Sequence, residues 1–145
     1  TREEFTTTEL YPEAIERHHS SVESFFAEET AESLNRFSDV LLLGHDYSED
    51  LDRLKQLLHL AQSNGLSLNG SSFPRVGAIG SRSKWKSFTE SCLENGIHES
   101  MLSEVRCPIG LNIGAESPEE IAVAVVAQIM ASFKGADANA PTWRV

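Results

Sequence analysis

Val76-Gly77-Ala78-Ile79-Gly80-Ser81-Arg82-Ser83-Lys84-Trp85-Lys86 reads as a short buried strand that turns directly into a helix. Ser81 is a good N-cap, yet Arg82, Lys84 and Lys86 follow it, at the end of a helix where the backbone dipole is positive and acidic side chains are preferred. An anion held by the free N–H groups of the first turn and by these cations would explain the mismatch. Gly77 and Gly80 would let the backbone approach such a group closely. A solvated basic helix start is the alternative reading of the same residues.

Strand and helix patterns alternate on both sides of this turn, which predicts an α/β fold with a mainly parallel sheet. Upstream, residues 14–18 are a weak strand candidate. Val22, Phe25, Phe26, Leu34 and Phe37 recur at near-helical spacing, so residues 21–37 are expected to form one amphipathic helix with Glu23, Glu28, Glu29 and Glu32 in water. The uninterrupted run Val40-Leu41-Leu42-Leu43 suits a strand covered on both faces. Residues 46–64 carry Leu51, Leu54, Leu58 and Ala61 on one face and stop before Gly65, as a helix does at its C-terminus. Residues 65–74 have loop composition, and the central strand follows at 75–79.

Downstream, Trp85, Phe88 and Cys92 share a face of the helix that opens at Ser81 and stops at Asn95-Gly96. A helical turn is expected near 99–104. Ser117-Pro118-Glu119-Glu120 fits a capping box with proline in the first turn, opening a helix over 118–134. Ile121, Val123, Val125, Val126, Ile129, Met130 and Phe133 surround nearly its whole circumference. This helix is therefore sandwiched in the domain or buries a second face in an oligomer, and a homodimer interface is the expectation. Residues 1–134 form the domain in this reading, and 135–145 a flexible tail.

With 145 residues, 40% of them hydrophobic, the chain is long enough for one domain with a core. A net charge of −10 disfavours general binding to nucleic acid or to anionic membranes, so a basic site must be local. No apolar run reaches the length of a bilayer span and no signal pattern opens the sequence, which makes a cytoplasmic protein the expectation. Cys92 and Cys107 lack the clustering of a disulfide framework or a zinc site, and no metal centre is expected. Cys92 is read as core. Cys107 is read as a small hydrophobe, with a sulfur-handling thiol or soft ligand as the alternative.

Three loops could meet at the carboxyl ends of the strands, where open parallel sheets bind ligands: His45-Asp46, residues 80–84 and residues 107–116. Asp46 with Glu49 suits a helix cap, and His45 could donate to an anionic ligand. Cys107-Pro108-Ile109-Gly110-Leu111-Asn112-Ile113-Gly114-Ala115 is apolar and glycine-spaced without a regular period. Gly110 and Gly114 there permit positive φ or close approach of a ligand or another chain. His18, His19 and His59 have no third ligand near them in sequence and are read as solvated. The sequence contains no G-x-S-x-G, H-E-x-x-H, Walker or G-x-G-x-x-G motif.

Ile79-Gly80-Ser81-Arg82-Ser83-Lys84, the Cys107 to Ala115 loop and Ser117-Pro118-Glu119-Glu120-Ile121-Ala122-Val123 together resemble the XdhC/CoxI family, in which I-G-S-R-x-K, C-P-I-G-L-x-I-G-A and P-E-E-I-A-V occur in this order. The resemblance is close from Val76 to about Ala131 and looser from Asp39 to Leu58, where His45-Asp46 and Leu51-Asp52 are similar to the family's H-D-x-x-x-L-D with one residue extra. It implies a Rossmann-like three-layer domain, here partial. Arg2-Glu3-Glu4-Phe5 resembles a segment that follows the second strand in the family, so the first strand, glycine-rich turn and helix are expected to be missing. Their loss puts ordinary dinucleotide binding in doubt, and it would expose sheet edge and apolar surface for another copy to cover.

The family further implies an accessory or chaperone role toward molybdenum hydroxylases such as xanthine dehydrogenase. Molybdenum cofactor (molybdopterin) is then the expected ligand, with a cysteine desulfurase as a second partner. Gly80, Ser81, Arg82 and Lys84 would hold the anionic group, His45 would line the crevice, and Cys107, Gly110 and Gly114 would complete it. An NAD(P)-binding oxidoreductase-like domain and a degenerate structural or dimerisation module are the alternatives.

Overall fold

A computed structural model describes residue 15 and residues 18–140. Most of the strand expected at 14–18, the Arg2 to Phe5 segment and the last residues of the tail lie outside the described residues; His18, which is described, is not in a strand.

The single helix expected over 21–37 is two short ones, α1 (Val22–Ala27) and α2 (Ala31–Leu34). Thr30 breaks it. Its backbone is extended (φ −122°, ψ 168°), and its hydroxyl and that of Ser33 accept from each other's backbone N–H in a capping box. Arg36 grips Glu29 with Nη1 and Nη2 of its guanidinium group at 2.8 and 2.6 Å, and Ser33 Oγ donates to the same carboxylate at 2.5 Å. Local side-chain bonds here outcompete continuation of the helix. The spacing of apolar residues survives the break only in part: Ala31 and Leu34 are buried, while Phe37 is 40% exposed.

Strand β1 (Asp39–Leu42) runs parallel to β2 (Arg75–Ala78), with Asp39 opposite Arg75 and Leu42 opposite Ala78. Arg75 locks the start of the pair by donating to both oxygens of Asp39, at 2.9 and 2.7 Å. A third parallel segment touches β2 through one bridge, Gly77 to Arg106. The expectation that residues 40–43 are covered on both faces needs correction. Leu42 is buried, Val40 and Leu41 are half-buried, and Leu43, past the end of the strand, is 53% exposed. Among the described residues β1 has a neighbour on one edge alone, so it lacks the cover of a central strand.

Asp46 caps α3 (Tyr47–Ser63) by accepting from the Glu49 N–H. Leu54, Leu57, Leu58 and Ala61 form its buried stripe, each leucine contributing about 1.5–3 kcal/mol of burial. Gly65, at φ +65°, ends it, and the Leu66 N–H reaches back to the Ala61 carbonyl at 2.9 Å. The 65–74 loop is anchored by Leu68, Phe73 and Pro74, all buried. Phe88 and Cys92 of α4 (Arg82–Glu94) and Met101 and Leu102 of α5 (Glu99–Leu102) complete the core, with Trp85 at its margin.

The capping box at Ser117 and Glu120 opens α6 (Pro118–Lys134), and Gly135 closes it at φ +61°. This helix stands apart from the main core. Only Ala124 and Val125 are buried, and its fastenings are largely polar: Gly110 N–H to Gln128 Oε1 at 2.8 Å, Leu111 N–H to the Ala124 carbonyl at 3.1 Å, and Arg106 to Ser132 Oγ at 2.9 Å. Val123, Val126, Met130 and Phe133 are each more than half exposed. Of the two placements the sequence left open, burial deep within the described domain is excluded.

Candidate functional site

Main-chain hydrogen bonds bring the three candidate loops to one end of the sheet. The Ile79 N–H donates to the Leu42 carbonyl at 3.2 Å, which joins the exits of β1 and β2. The Ile109 N–H donates to the Ala78 carbonyl at 2.9 Å, which sets the 107–111 segment beside them. Gly77 makes this approach possible, because a Cβ there would stand 3.1 Å from the Cβ of Ile109 and closer still to its Cδ1. All three loops thus leave from carboxyl ends, the position where open parallel sheets place their crevice.

At the second loop, Ser81 is the N-cap of α4, and its hydroxyl accepts from the Lys84 N–H at 3.2 Å. Helix geometry leaves the first-turn N–H groups of Arg82 and Ser83 without intrahelical acceptors, and the Arg82 side chain is exposed beside them. Gly80 is packed against Lys84, whose Cδ would lie 2.7 Å from a Cβ at that position.

Lys84 is placed differently from Arg82. Its Nζ turns inward, 3.2 Å from the Ile79 carbonyl and 3.5 Å from Asp50 Oδ2, and lies over the Phe88 ring at 5.2 Å. Asp50 is the buried partner, with 1% of its surface exposed, and Arg53 Nη1 also reaches it at 3.2 Å. Gly44 leaves room for that carboxylate, since a Cβ at 44 would come within 2.5 Å of Asp50 Oδ1.

Asp50 is the residue that sequence reasoning missed. It heads the stripe Asp50, Leu54, Leu57, Ala61, so an acid in register with buried apolar residues was the available signal.

His45 and Asp46 are exposed at the first loop. Asp46 is occupied as a cap, accepting from the Glu49 N–H at 3.0 Å and from Ser48 Oγ at 2.7 Å, and these bonds hold its carboxyl below the usual range. At the third loop Cys107 is half-buried before a cis bond to Pro108. Burial pushes its thiol up, against the opposing pull of the Lys84 charge, so the protonated thiol prevails at neutral pH.

Gly110 (φ +119°) faces α6 and not open space: its N–H is taken by Gln128, and a Cβ would lie 3.2 Å from that of Ala124. Gly114 (φ +75°) is exposed with nothing within 4 Å of a Cβ position. The loops bearing His45, Gly80 to Lys84 and Cys107 therefore converge, while Gly110 serves the seat of α6 and Gly114 lies in an open turn. Among the described residues no helix is long and apolar enough to cross a membrane.

Comparison with known proteins agrees with this architecture. A crystal structure of a xanthine dehydrogenase from Bacillus halodurans superposes with a TM-score of 0.65 at 22% identity, over 97% of this chain and 36% of that one, a likeness of fold alone. The uncharacterized protein YqeB of Escherichia coli (strain K12) is 40% identical over 55 residues, 38% of this chain and 10% of YqeB. The chain thus spans about a third of the structural neighbour, and its match to YqeB covers a tenth of that relative. The family model described as the XdhC Rossmann domain matches residues 1–129. With parallel strands and carboxyl-end loops arranged as described, the chain is a partial Rossmann-like α/β domain and belongs to the XdhC Rossmann domain family.

Proposed function

We propose that the chain is part of an accessory protein for a molybdenum hydroxylase of the xanthine dehydrogenase type, and that it binds molybdenum cofactor or another phosphate-bearing ligand to assist maturation or insertion. The observation that carries this reading is the α4 start at the carboxyl end of the sheet: unengaged N–H groups, the exposed Arg82 and the Ser81 cap converge beside the Cys107 loop. Family membership directs the choice of ligand and client.

The donor set suits the group. Arg82 and the first-turn N–H groups would hold a phosphate, with helix-dipole and charge-assisted bonds acting together. His45 would line the opposite rim, and Cys107 would face the crevice as a neutral thiol. When bound, molybdenum cofactor would bring the metal–dithiolene chemistry that the client enzyme uses; the chain's own residues bind, orient and shield it. Sulfuration would come from a cysteine desulfurase acting as a second partner, in the cytoplasm.

Purified protein titrated with molybdopterin tests the reading. Saturable binding that weakens about tenfold in Arg82→Ala is expected, the loss of one charge-assisted contact. Equal affinity in the two proteins removes the turn from the model.

The Rossmann family favours one rival, an NAD(P)-binding oxidoreductase-like domain. It predicts that NAD or NADP competes with molybdopterin for the same turn.

A homodimer built on α6 is part of the proposal. The line of exposed apolar residues Val123, Val126, Met130 and Phe133 supports it, because water contact over such a helix face is costly.

A further inference from the structure

Asp50 places a buried carboxylate beneath the loop cluster read above as an anion site, and that reading is the premise here. Its carboxylate, on a side chain 1% exposed, reaches two cations of unequal kind. Arg53 lies three residues along the same helix at 3.2 Å, and is itself braced by Glu49 at 3.0 Å. Lys84 comes from the α4 start at 3.5 Å, on a flexible stem with one fifth of the side chain in water. Gly44 is needed for the carboxylate to sit where it does.

We infer that the Asp50–Lys84 pair is an autoinhibitory contact: Asp50 occupies the ammonium group of Lys84 until an anion in the crevice draws it away. Three features of the geometry favour exchange. Lys84 makes the longer of the two contacts to Asp50, so it is the partner released first. Arg53 remains on Asp50 after release, so the buried carboxylate is never left unpaired, which would be strongly unfavourable. The Lys84 side chain is already 19% exposed, so its path outward, which also gives up the Ile79 carbonyl at 3.2 Å, does not require opening the core. Asp50 is then a positioning residue, which acts on the ligand through Lys84.

Inorganic pyrophosphate is the probe, titrated calorimetrically into the intact chain, Asp50→Asn, Lys84→Met and the double variant. Asp50→Asn is expected to bind roughly fivefold tighter than the unaltered protein, as one more cation at a partly exposed site would give. The gain disappears in Asp50→Asn/Lys84→Met. Equal or weaker binding by Asp50→Asn, or no saturable binding by either protein, overturns the inference.

Should Asp50→Asn fail to fold by circular dichroism, the Lys84 side-chain NMR signal of the unaltered protein decides. It should move with pyrophosphate occupancy, and a signal unchanged at saturation overturns the contact's role. Molybdopterin run in parallel separates the premises. If pyrophosphate shows the Asp50–Lys84 coupling and molybdopterin does not bind, the proposed ligand fails alone. If molybdopterin binds equally to all four proteins, the autoinhibitory contact fails alone.

Discussion

At the scale of single residues, the stability of this domain is sensitive where glycine makes room for something charged or bulky. Gly44→Ala would push a methyl group to within 2.5 Å of Asp50 Oδ1, a carboxylate held from two sides. Its expected cost is about 1–3 kcal/mol, the range for overpacking a filled site, measurable as a lower midpoint in urea unfolding. Glu29 supplies a second residue-scale test. Hydrogen bonds from Arg36, and then from Ser33, bring its pKa down from 4.5 to about 2. A depressed folded-state value means that the contribution is present above the unfolded pKa and fades as pH falls from about 4.5 toward 2. Unfolding followed across that window should show a shallower acid loss in Glu29→Gln than in the unaltered protein. At Asp39 burial works to raise the carboxyl, but the hydrogen bonds from Arg75 and Ser38 outweigh it and the net direction is downward. That group adds to the same acid sensitivity.

At the scale of elements, the parts that announce themselves in the sequence are those whose signals are local. The caps at Asp46, Ser81 and Ser117 each pair a short polar side chain with an N–H three residues later, and all three open the helices expected of them. Ser117→Ala removes one half of the α6 capping box and should lower thermal stability by about 1 kcal/mol, visible as a drop in melting temperature. The break at Thr30 was concealed because Val22, Phe25, Phe26 and Leu34 keep a helical period across it, and periodicity does not register a non-helical residue between two turns. The candidate site was legible in its loops and illegible in its wiring. The positions of Ser81, Arg82 and Cys107 follow from strand ends and a cap, whereas the capture of Lys84 by Asp50 is a contact across 34 residues that no local pattern encodes. Gly110 shows the same limit: its positive φ is a local need and was legible, but its partner Gln128 lies 18 residues away.

For the whole molecule, the notable imbalance lies between the core around α3 and the lightly seated α6. The first holds fully buried leucines and phenylalanines, and the second presents Val126 and Met130 to water at 57% exposure each. A homodimer through this face predicts that the paired substitution Val126→Glu/Met130→Glu yields a monomer in sedimentation velocity while the far-ultraviolet spectrum stays unchanged. A dimer that persists would place the contact elsewhere, for instance along the edge of β1 that carries no strand among the described residues.

The end of the sheet beneath the candidate site has a property of its own kind. It is laid by the amide links Ile79 to Leu42, Ala78 to Arg106 and Ile109 to Ala78, all main chain to main chain. Such links do not depend on which side chains stand above them, so the rim can be rewritten without relaying the foundation. Descendants of this chain are therefore free to change what they carry by point substitution at exposed positions such as 45 and 82, and a library randomised at those two codons should remain largely folded.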